Sequence, residues 1–557
     1  MKAYFELKNI LQSIDGEEDK SYKSIEGEYL FNDYTLYIDH IETNPSGCLS
    51  NIRVRMTQSV ALFPSDTYSN RSREIALRDF ITRTFYNSIE NSHMSALISI
   101  HSPGQEILER TSAFINKSYV EIRFTINLPI FGKLVEANPV EEIFFDKLPQ
   151  IIKSSIFFEN LDKESLYNHI ETSEDADFLR NELENLRLIA FVAEGSILPR
   201  ESGINSLPIE SNAIPFISPD TLKMDVELPN KGQITGMGLL RGITLIVGED
   251  NSGKSTLLKA IEQGIYNHIP GDGREYVVCN PNSVKIRAED GRSIHNVDIS
   301  PFINNLHSGE NVNSFSTHKA GSYISQAANL IEAVEVGADV LLINEDTSAN
   351  NFLYKNINRE KDITQEYDFT TPFVDKARSL YNEYMVSSIL AIEQPEDYLA
   401  IANFVIQMSQ FVALDITEEA KKSAQQNDNS DIYFGTIKDR IPLVESLDAG
   451  NGIQSIEISP KAINYIEFRS SIIDLSSIEQ VISINQMKAI CKAIMYSKKY
   501  MDGRKSFRQL TSLVMLDIGR SGLDVLNPSL SGEYAEFRKI ELAAVFNRIN
   551  SLKIEQK

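Results

Sequence analysis

Apolar positions along this chain recur in two rhythms. Between residue 1 and about residue 185, "YTLYIDHI", "IRVRM" and "YVEIRFTINLP" carry the β-branched and aromatic content of strands, while "SREIALRDFITRTFYNSI" spaces its apolar residues for one helical face. "DADFLRNELENLRLIAF" opens as a polar helix, and the Gly/Pro/Ser-rich "VAEGSILPRESGINSLP" reads as the entry loop of a new domain. Beyond it the apolar runs thicken into "ITLIV", "ADVLLI", "SSILAI" and "NFVIQM", separated by helical or loop sequence, which predicts buried strands joined by crossovers. The polar "EEAKKSAQQNDNSD" at 418–431 marks the next boundary. Past it, "DLSSIEQVISINQMKAICKAIMY" opens on a capping box, Ser476-x-x-Glu479, with Ile478, Val481, Ile482 and Met487 near one helical face. The expected partition is an N-terminal α+β domain at 1–189, an α/β core at 190–417 and a C-terminal α+β domain at 418–557.

Composition adds limits to this picture. The chain has 557 residues, 42% hydrophobic and 24% charged, as an ordinary soluble globular protein of several domains does. It holds no uninterrupted apolar run of about 18 residues, so no membrane span is expected. The start, "MKAYFELKNILQSIDGEE", lacks the apolar core of a secretory signal, and Cys48, Cys279 and Cys491 form no CxxC pair, which together predict a reducing, cytoplasmic setting. The net charge of −24 disfavours wholesale coating of nucleic acid. Residues 451–557 nevertheless carry fifteen Lys or Arg against eleven Asp or Glu. Their densest run, "YSKKYMDGRKSFR", holds Lys498, Lys499, Arg504, Lys505 and Arg508 interleaved with Tyr496, Tyr500 and Phe507. It reads either as a solvated helix end and turn or as a surface for single-stranded RNA or DNA.

The strongest chemical signal is "LIVGEDNSGKSTLL". Gly248-x-x-x-x-Gly253-Lys254-Ser255 follows a strand and opens a helix, as a phosphate-binding loop must. Its glycines let backbone N–H groups curl around phosphates, the helix N-terminus adds a favourable dipole, Lys254 reaches the β- and γ-phosphates, and Ser255 offers a hydroxyl to Mg2+. Gly248, Asn251, Ser252, Gly253, Lys254, Ser255 and Thr256 are the candidate contacts to ATP. A metal-orienting acid is expected at the end of a second apolar strand, followed by a glutamate that polarises the attacking water. The run Val340–Ile343 ends in Asn344 and then Glu345. Glu345 and Lys254 are therefore the candidate catalytic residues, and Ser255 and Asn344 the candidate metal-side residues. A neutral amide in place of a carboxylate costs about 1–2 kcal/mol of hydrogen bonding, or about 5- to 30-fold in rate. Asp346 is a second acid nearby, but on a continuing strand the residue after Glu345 would point to the wrong side.

Two further elements of ATP-binding-cassette (ABC) proteins depart from pattern. No glutamine lies between Gln263 and Gln326, and no histidine follows His318. "SSILAI" leads instead into Glu393-Gln394-Pro395, where Gln394 is the candidate γ-phosphate contact because it can donate. Just before the second strand, "KAGSYISQAANLIEA" sits where an ABC signature would, and Gly321, Ser322, Ser325 and Gln326 suit a helix start that caps a partner's nucleotide in a head-to-tail dimer. Tyr323 and Ile324 are bulky for that role.

With these motifs in this order, the chain resembles the family of predicted ATPases of the ABC class. The similarity runs end to end through blocks such as "YKSIEGEYLF", "SNRSREIALRDF", "EGSILPRESG", "ELPNKGQITGMG", "KIRAEDGRSIHNVDISPFINNL", "LLINEDTSANNF" and "IDLSSIEQV". The resemblance implies an ABC-type P-loop nucleotide-binding core between α+β domains, ATP and Mg2+ as ligands, and a homodimer closed through the ATP sites without a transporter partner. A trypanosome mitochondrial relative is associated with RNA-binding and editing machinery, so the resemblance also implies RNA as a ligand. Relatives carry Asp at the position of Asn344. Three readings follow: a slow ATPase whose nucleotide-gated dimer acts on a second ligand; an ATP-locked, non-enzymatic scaffold or nucleic-acid-binding module; and an ATPase of DNA repair or defence, which the lack of sustained heptads disfavours.

Overall fold

The computed structural model describes residues 1–44, 47–202, 206–209, 211–306, 309–355, 370–423, 432–448, 458–469 and 471–556. Most of the polar stretch read as a boundary, from 424 to 431, lies outside them. By its internal contacts the chain forms two compact units, Met1–Glu174 with His268–Pro270 and Ser521–Glu536, and Asp175–Asn267 with Gly271–Arg520 and Phe537–Lys557.

In the first unit, alternating sequence gives a mostly antiparallel sheet. The long strands Thr35–Asn44, Gly47–Thr57 and Tyr119–Leu128 are its middle, where Ile52 sits opposite Phe124 and Val54 opposite Ile122. The expected helix forms as Arg71–Asn91, its start fixed by Asn70, whose side chain accepts from the Arg73 N–H. Its Phe85 packs on Phe124 with ring centroids 5.0 Å apart. Asp79 on the same helix is buried among Arg83, Arg110 and His169. Burial pushes its carboxyl up, but those neighbours outweigh it and hold it below the usual range.

The second unit is built on the thick apolar runs. We label its strands β1 (Ile243–Val247), β2 (Ser283–Ile286), β3 (Val340–Asn344), β4 (Ser387–Ile392), β5 (Phe404–Ser409) and β6 (Val412–Asp415). They form one sheet in the order β2-β3-β4-β1-β5-β6, parallel throughout except for the β5–β6 hairpin. All residues of β1, β3 and β4 are buried, as strands covered on both faces require. Helices α1 (Lys254–Gln263), α2 (Ser322–Glu335) and α3 (Phe373–Tyr384) are its connecting helices, and α4 (Ile484–Ser497), α5 (Phe507–Ser521) and α6 (Lys539–Asn547) come later in the chain. A four-stranded antiparallel sheet, ordered Lys223–Leu228, Gly232–Leu240, Leu188–Ala193, Val277–Cys279, accompanies the parallel one. The class is α/β.

Parallel register places the site. Val247 lies beside Ile392, and Asn344 beside Ala391, so β1, β3 and β4 end at one level. The loops leaving those carboxyl ends therefore meet, which is where ligands bind in open α/β sheets.

One expectation fails in the C-terminal part. Helix α4 starts at Ile484, capped by Ser483 with Gln486 closing the box, and not at Ser476-x-x-Glu479. Ile478, Val481 and Ile482 precede the helix, leaving only Met487 of the expected stripe on it. Both tetrapeptides satisfy the capping pattern. Glu479 is used otherwise: its carboxylate meets Lys259 at 3.1 Å and Arg287 at 2.9 Å.

Candidate nucleotide-binding site

The loop between β1 and α1 turns on two glycines in the left-handed half of backbone space, Gly248 at φ +148° and Gly253 at φ +108°. A Cβ on Gly248 would stand 2.3 Å from the Met408 carbonyl oxygen, so the loop passes too close to β5 for any other residue. Asn251, exposed at the tip, is also left-handed at φ 58°. Ser252 is buried and its N–H donates to the Glu249 carbonyl. Gly253 caps α1, leaving the first N–H groups of the helix directed at the loop's concave side. Lys254 is 7% exposed and lies across the loop, its amine donating to the carbonyls of Gly248 (2.7 Å) and Glu249 (2.8 Å). Ser255 is exposed and Thr256 half-buried at the start of the helix.

The carboxyl ends of β3 and β4 supply the acids. Directly after Asn344 the strand gives way to a tight turn over Glu345–Thr347, which Asn344 caps. That turn overturns the expectation for Asp346. Its carboxylate swings back to the phosphate-binding loop, with Oδ2 3.1 Å from the Ser255 hydroxyl. Asn344 differs from expectation too. It presents its amide nitrogen, not its oxygen, to Ser255 (3.3 Å) and to Asp346 Oδ2 (3.2 Å), and its oxygen faces the Asp346 N–H. A donating –NH2 cannot ligate a cation, so Asn344 is not a metal ligand in this arrangement. Glu345 is held by the backbone: its Oε2 accepts from the Glu393 N–H at 2.6 Å.

At the end of β4 it is Glu393, not Gln394, that turns to the lysine. Glu393 Oε1 pairs with Lys254 Nζ at 3.2 Å, while Gln394 is exposed to solvent. A hydrogen bond shared with Asp250 raises the Glu393 carboxyl above the usual range, against the opposing pull of Lys254. The sequence brings up both Glu393 and Asp346 but prefers Gln394 to the first and sets the second aside, although Glu393 directly follows a buried strand.

Helix α2 differs from the expected signature in which residues face out. Ser325 and Gln326 are fully buried. The Ser325 hydroxyl donates to the Ser322 carbonyl and accepts from the Glu289 N–H, and the Gln326 amide bridges the Ser348 hydroxyl (2.9 Å) and the Ala349 N–H (2.8 Å). Gln326 ties α2 to the segment after β3 and Ser325 ties it to Glu289, so neither can reach a partner's nucleotide. Tyr323 also turns inward, its hydroxyl donating to the carbonyls of Phe302 and Thr371, so its bulk leaves the helix start open. Ser322, hydrogen-bonded to Asp290 (2.6 Å), with Gly321, Ala349 and Asn350, lines a shallow depression at that start. The far half of α2 rests on buried charge: Arg292 on Glu332 (2.7 Å), and Arg440 on Glu335 (2.7 Å) and Glu332 (3.4 Å).

Most cations of the basic run in the C-terminal part have partners within the chain. Lys498 pairs with Asp448 (2.9 Å), Lys499 with Asp517 (2.7 Å) and Lys505 with Asp502, while Arg508 donates to the last carbonyls of α2 at Glu335 (2.7 Å) and Val334 (3.1 Å). Arg504 makes no ion pair among the described residues. The hydroxyls of Tyr496 and Tyr500 also converge on Asp517, which hydrogen bonds from Lys499 first, then from the two tyrosines, hold at about 2. Phe507 is buried against Phe546 and cannot stack on a base.

The loop N–H groups, one lysine, one hydroxyl and a facing carboxylate form a donor set that fits a nucleotide with a hard, oxygen-seeking cation. Among the described residues no helix is long and apolar enough to cross a membrane. Comparison with known proteins agrees with the geometry. Residues 4–159 match the family model "ATPase of the ABC class N-terminal", residues 162–436 the P-loop domain model ABC_ATPase, and residues 457–555 the model "MRB1590 C-terminal domain". An uncharacterised protein of Methanocaldococcus jannaschii is 29% identical over 193 residues, which cover 32% of this chain and 42% of that relative's length. A solved structure, cbiO1 of Clostridium perfringens, described as part of the ABC transporter complex cbiONQ, aligns over 42% of this chain and 91% of its own. It does so at 12% identity with a TM-score of 0.25, an overlap too loose to carry residue roles across.

Proposed function

Because this chain belongs to the family of ATPases of the ABC class, we propose that it binds ATP with Mg2+ at the loop 248–256 and hydrolyses it slowly, in a homodimer that the nucleotide closes. The core is taken as 190–417, flanked by 1–189 and 418–557, and the setting as the cytoplasm. The observation that carries this reading is that Lys254 and Ser255 of one loop are met by acids from two strand ends, Ser255 by Asp346 and Lys254 by Glu393, whose N–H also holds Glu345. When bound, Mg2+ neutralises phosphate charge and orients the leaving group. Lys254 leaves the Gly248 and Glu249 carbonyls and donates to the β- and γ-phosphates. Ser255 offers its hydroxyl from the first turn of α1. Glu345, oriented by the Glu393 N–H, accepts a hydrogen bond from the attacking water and polarises it toward the γ-phosphate.

The dimer follows from α2. Its start at Gly321 and Ser322 opens onto the depression described above, so a second copy can bring its own loop-bound nucleotide against those N–H groups. Gln394, exposed beside the site, remains available to the γ-phosphate. Three of the five cations of the basic run face carboxylates, and this reading does not draw on the run as a nucleic-acid surface. Equilibrium binding of ATP tests the proposal. Lys254→Ala should remove most affinity, and Glu345→Gln should stop turnover while ATP still binds and the mass doubles from 62.8 kDa. Undiminished affinity in Lys254→Ala would refute the site, and a Glu345→Gln chain that stays monomeric in saturating ATP would refute the dimer.

A further inference from the structure

The geometry points to Asp346, two residues beyond the position where the motif seeks it, as the carboxylate that anchors the metal of the nucleotide site, with Asn344 as the amide that positions it. The inference rests on the nucleotide reading above and names which residue does one of its tasks.

Three contacts form a closed triangle. Asp346 Oδ2 stands 3.1 Å from Ser255 Oγ, Asn344 Nδ2 stands 3.2 Å from that same carboxylate oxygen, and Asn344 Nδ2 stands 3.3 Å from Ser255 Oγ. The hydroxyl that a P-loop presents to its cation is thus met by a charged oxygen, but from residue 346. The path explains why. Residues 344 and 346 share a face even on a continuing strand, and the tight turn over Glu345–Thr347 draws Asp346 in beside Asn344 so that both reach Ser255. The turn is fixed at its start by the Asn344 carbonyl, which accepts from the Ser348 hydroxyl at 2.8 Å and the Thr347 hydroxyl at 3.3 Å.

The amide at 344 then acquires a purpose. With aspartate there, two carboxylates would stand about 3 Å apart and repel each other whenever no cation lay between them. A neutral donor instead holds Asp346 toward Ser255 before any metal arrives. Asp346 is exposed on the open side of the loop, where one carboxylate, one hydroxyl, phosphate oxygens and water make up the shell that Mg2+ prefers.

The test reads metal binding directly. Mn2+ is titrated into the protein bound to a non-hydrolysable ATP analogue and followed by electron paramagnetic resonance, beside analogue binding measured without metal. Asp346→Asn should weaken Mn2+ about 10- to 100-fold, with metal-free analogue binding within twofold of wild type. The exchange variant, Asn344→Asp with Asp346→Asn, should recover most of the Mn2+ affinity, because it returns one carboxylate to the same triangle. Wild-type Mn2+ affinity in Asp346→Asn, or no recovery in the exchange variant, would overturn the assignment while leaving the nucleotide site standing. Absence of analogue binding to the wild type, with or without metal, would remove the nucleotide reading and this assignment with it.

Discussion

Replacing Glu393 with glutamine removes a negative charge that competes with ATP for the same lysine. The Glu393 carboxylate stands 3.2 Å from Lys254 Nζ, and its side chain is 38% exposed while that of the lysine is 8% exposed. Solvent reaches one partner freely, so the pair is worth about 1 kcal/mol, the upper end for exposed ion pairs. Binding phosphate at Lys254 must break it. Glu393→Gln should therefore tighten ATP about fivefold. Turnover should be unchanged, because Glu345 is held by the backbone N–H of residue 393, which the substitution leaves in place. Acidity provides a second signature. The Glu393 carboxyl is raised by its hydrogen bond with Asp250, so protons neutralise it before they reach an ordinary carboxylate near pH 4.3. The neutral form releases Lys254, and the advantage of Glu393→Gln over wild type should shrink as pH falls through that raised value. Calorimetric titration of ATP from pH 8 to pH 5 on both proteins measures this. Equal affinities at pH 8, or a ratio that does not change with pH, would refute the reasoning.

Other outcomes follow from the same geometry. Asn344→Asp, which the bare motif expects to raise hydrolysis about 5- to 30-fold, should leave steady-state turnover within about threefold, since Asp346 already supplies the acid. Changing Lys498, Lys499, Arg504 and Lys505 together to alanine should alter affinity for a single-stranded oligonucleotide by less than about threefold, because three of the four already face a carboxylate; a salt slope falling by about 2 or more would instead mark the run as a phosphate surface. Burial pushes the Glu289 carboxyl up, but Arg548 outweighs it and holds the group at about 2. A carboxyl depressed in the folded state adds stability above its unfolded value near pH 4.3 and loses it as pH falls toward 2, here on the order of 3 kcal/mol. Arg548→Met should cost about that much at pH 7 and progressively less toward pH 3 in urea unfolding, and a deficit independent of pH would contradict the pairing.

Much of this fold is legible in the sequence because two periodicities report burial directly. The strands β1, β3, β4 and β5 and the helix Arg71–Asn91 fall where apolar spacing places them. The phosphate-binding loop is legible because strand, glycines, lysine and hydroxyl constrain one another. What pattern cannot supply is where a side chain goes once the regular element ends. Asp346 is discounted by setting it against its neighbour Glu345, although residues 344 and 346 share a face on any strand, and Glu393 yields to Gln394 because a motif names residue types without naming the lysine they face. Ser325 and Gln326 have the small or polar character of a signature, yet polarity in a helix serves equally to satisfy a neighbouring loop, and here it does. The two successive capping boxes show the same limit: Ser476 and Ser483 are equivalent until Lys259 and Arg287 claim Glu479.

The grip of Arg548 on Glu289 has a bearing on ancestry. Residues 457–555 match a family model of their own, yet within this unit Arg548 neutralises Glu289, a half-buried acid of the core, and Gln480 donates to the carbonyls of Glu262 and Ser283. The start of that match at 457 is thus not a mechanical boundary. Cutting there would take away the arginine that holds Glu289 low, forfeiting on the order of 3 kcal/mol of stability at pH 7. Grafting a cousin's tail onto this core would succeed only if that tail brought an arginine to the place of Arg548. Lineages that exchanged the module would have had to exchange the acid and the base as a pair.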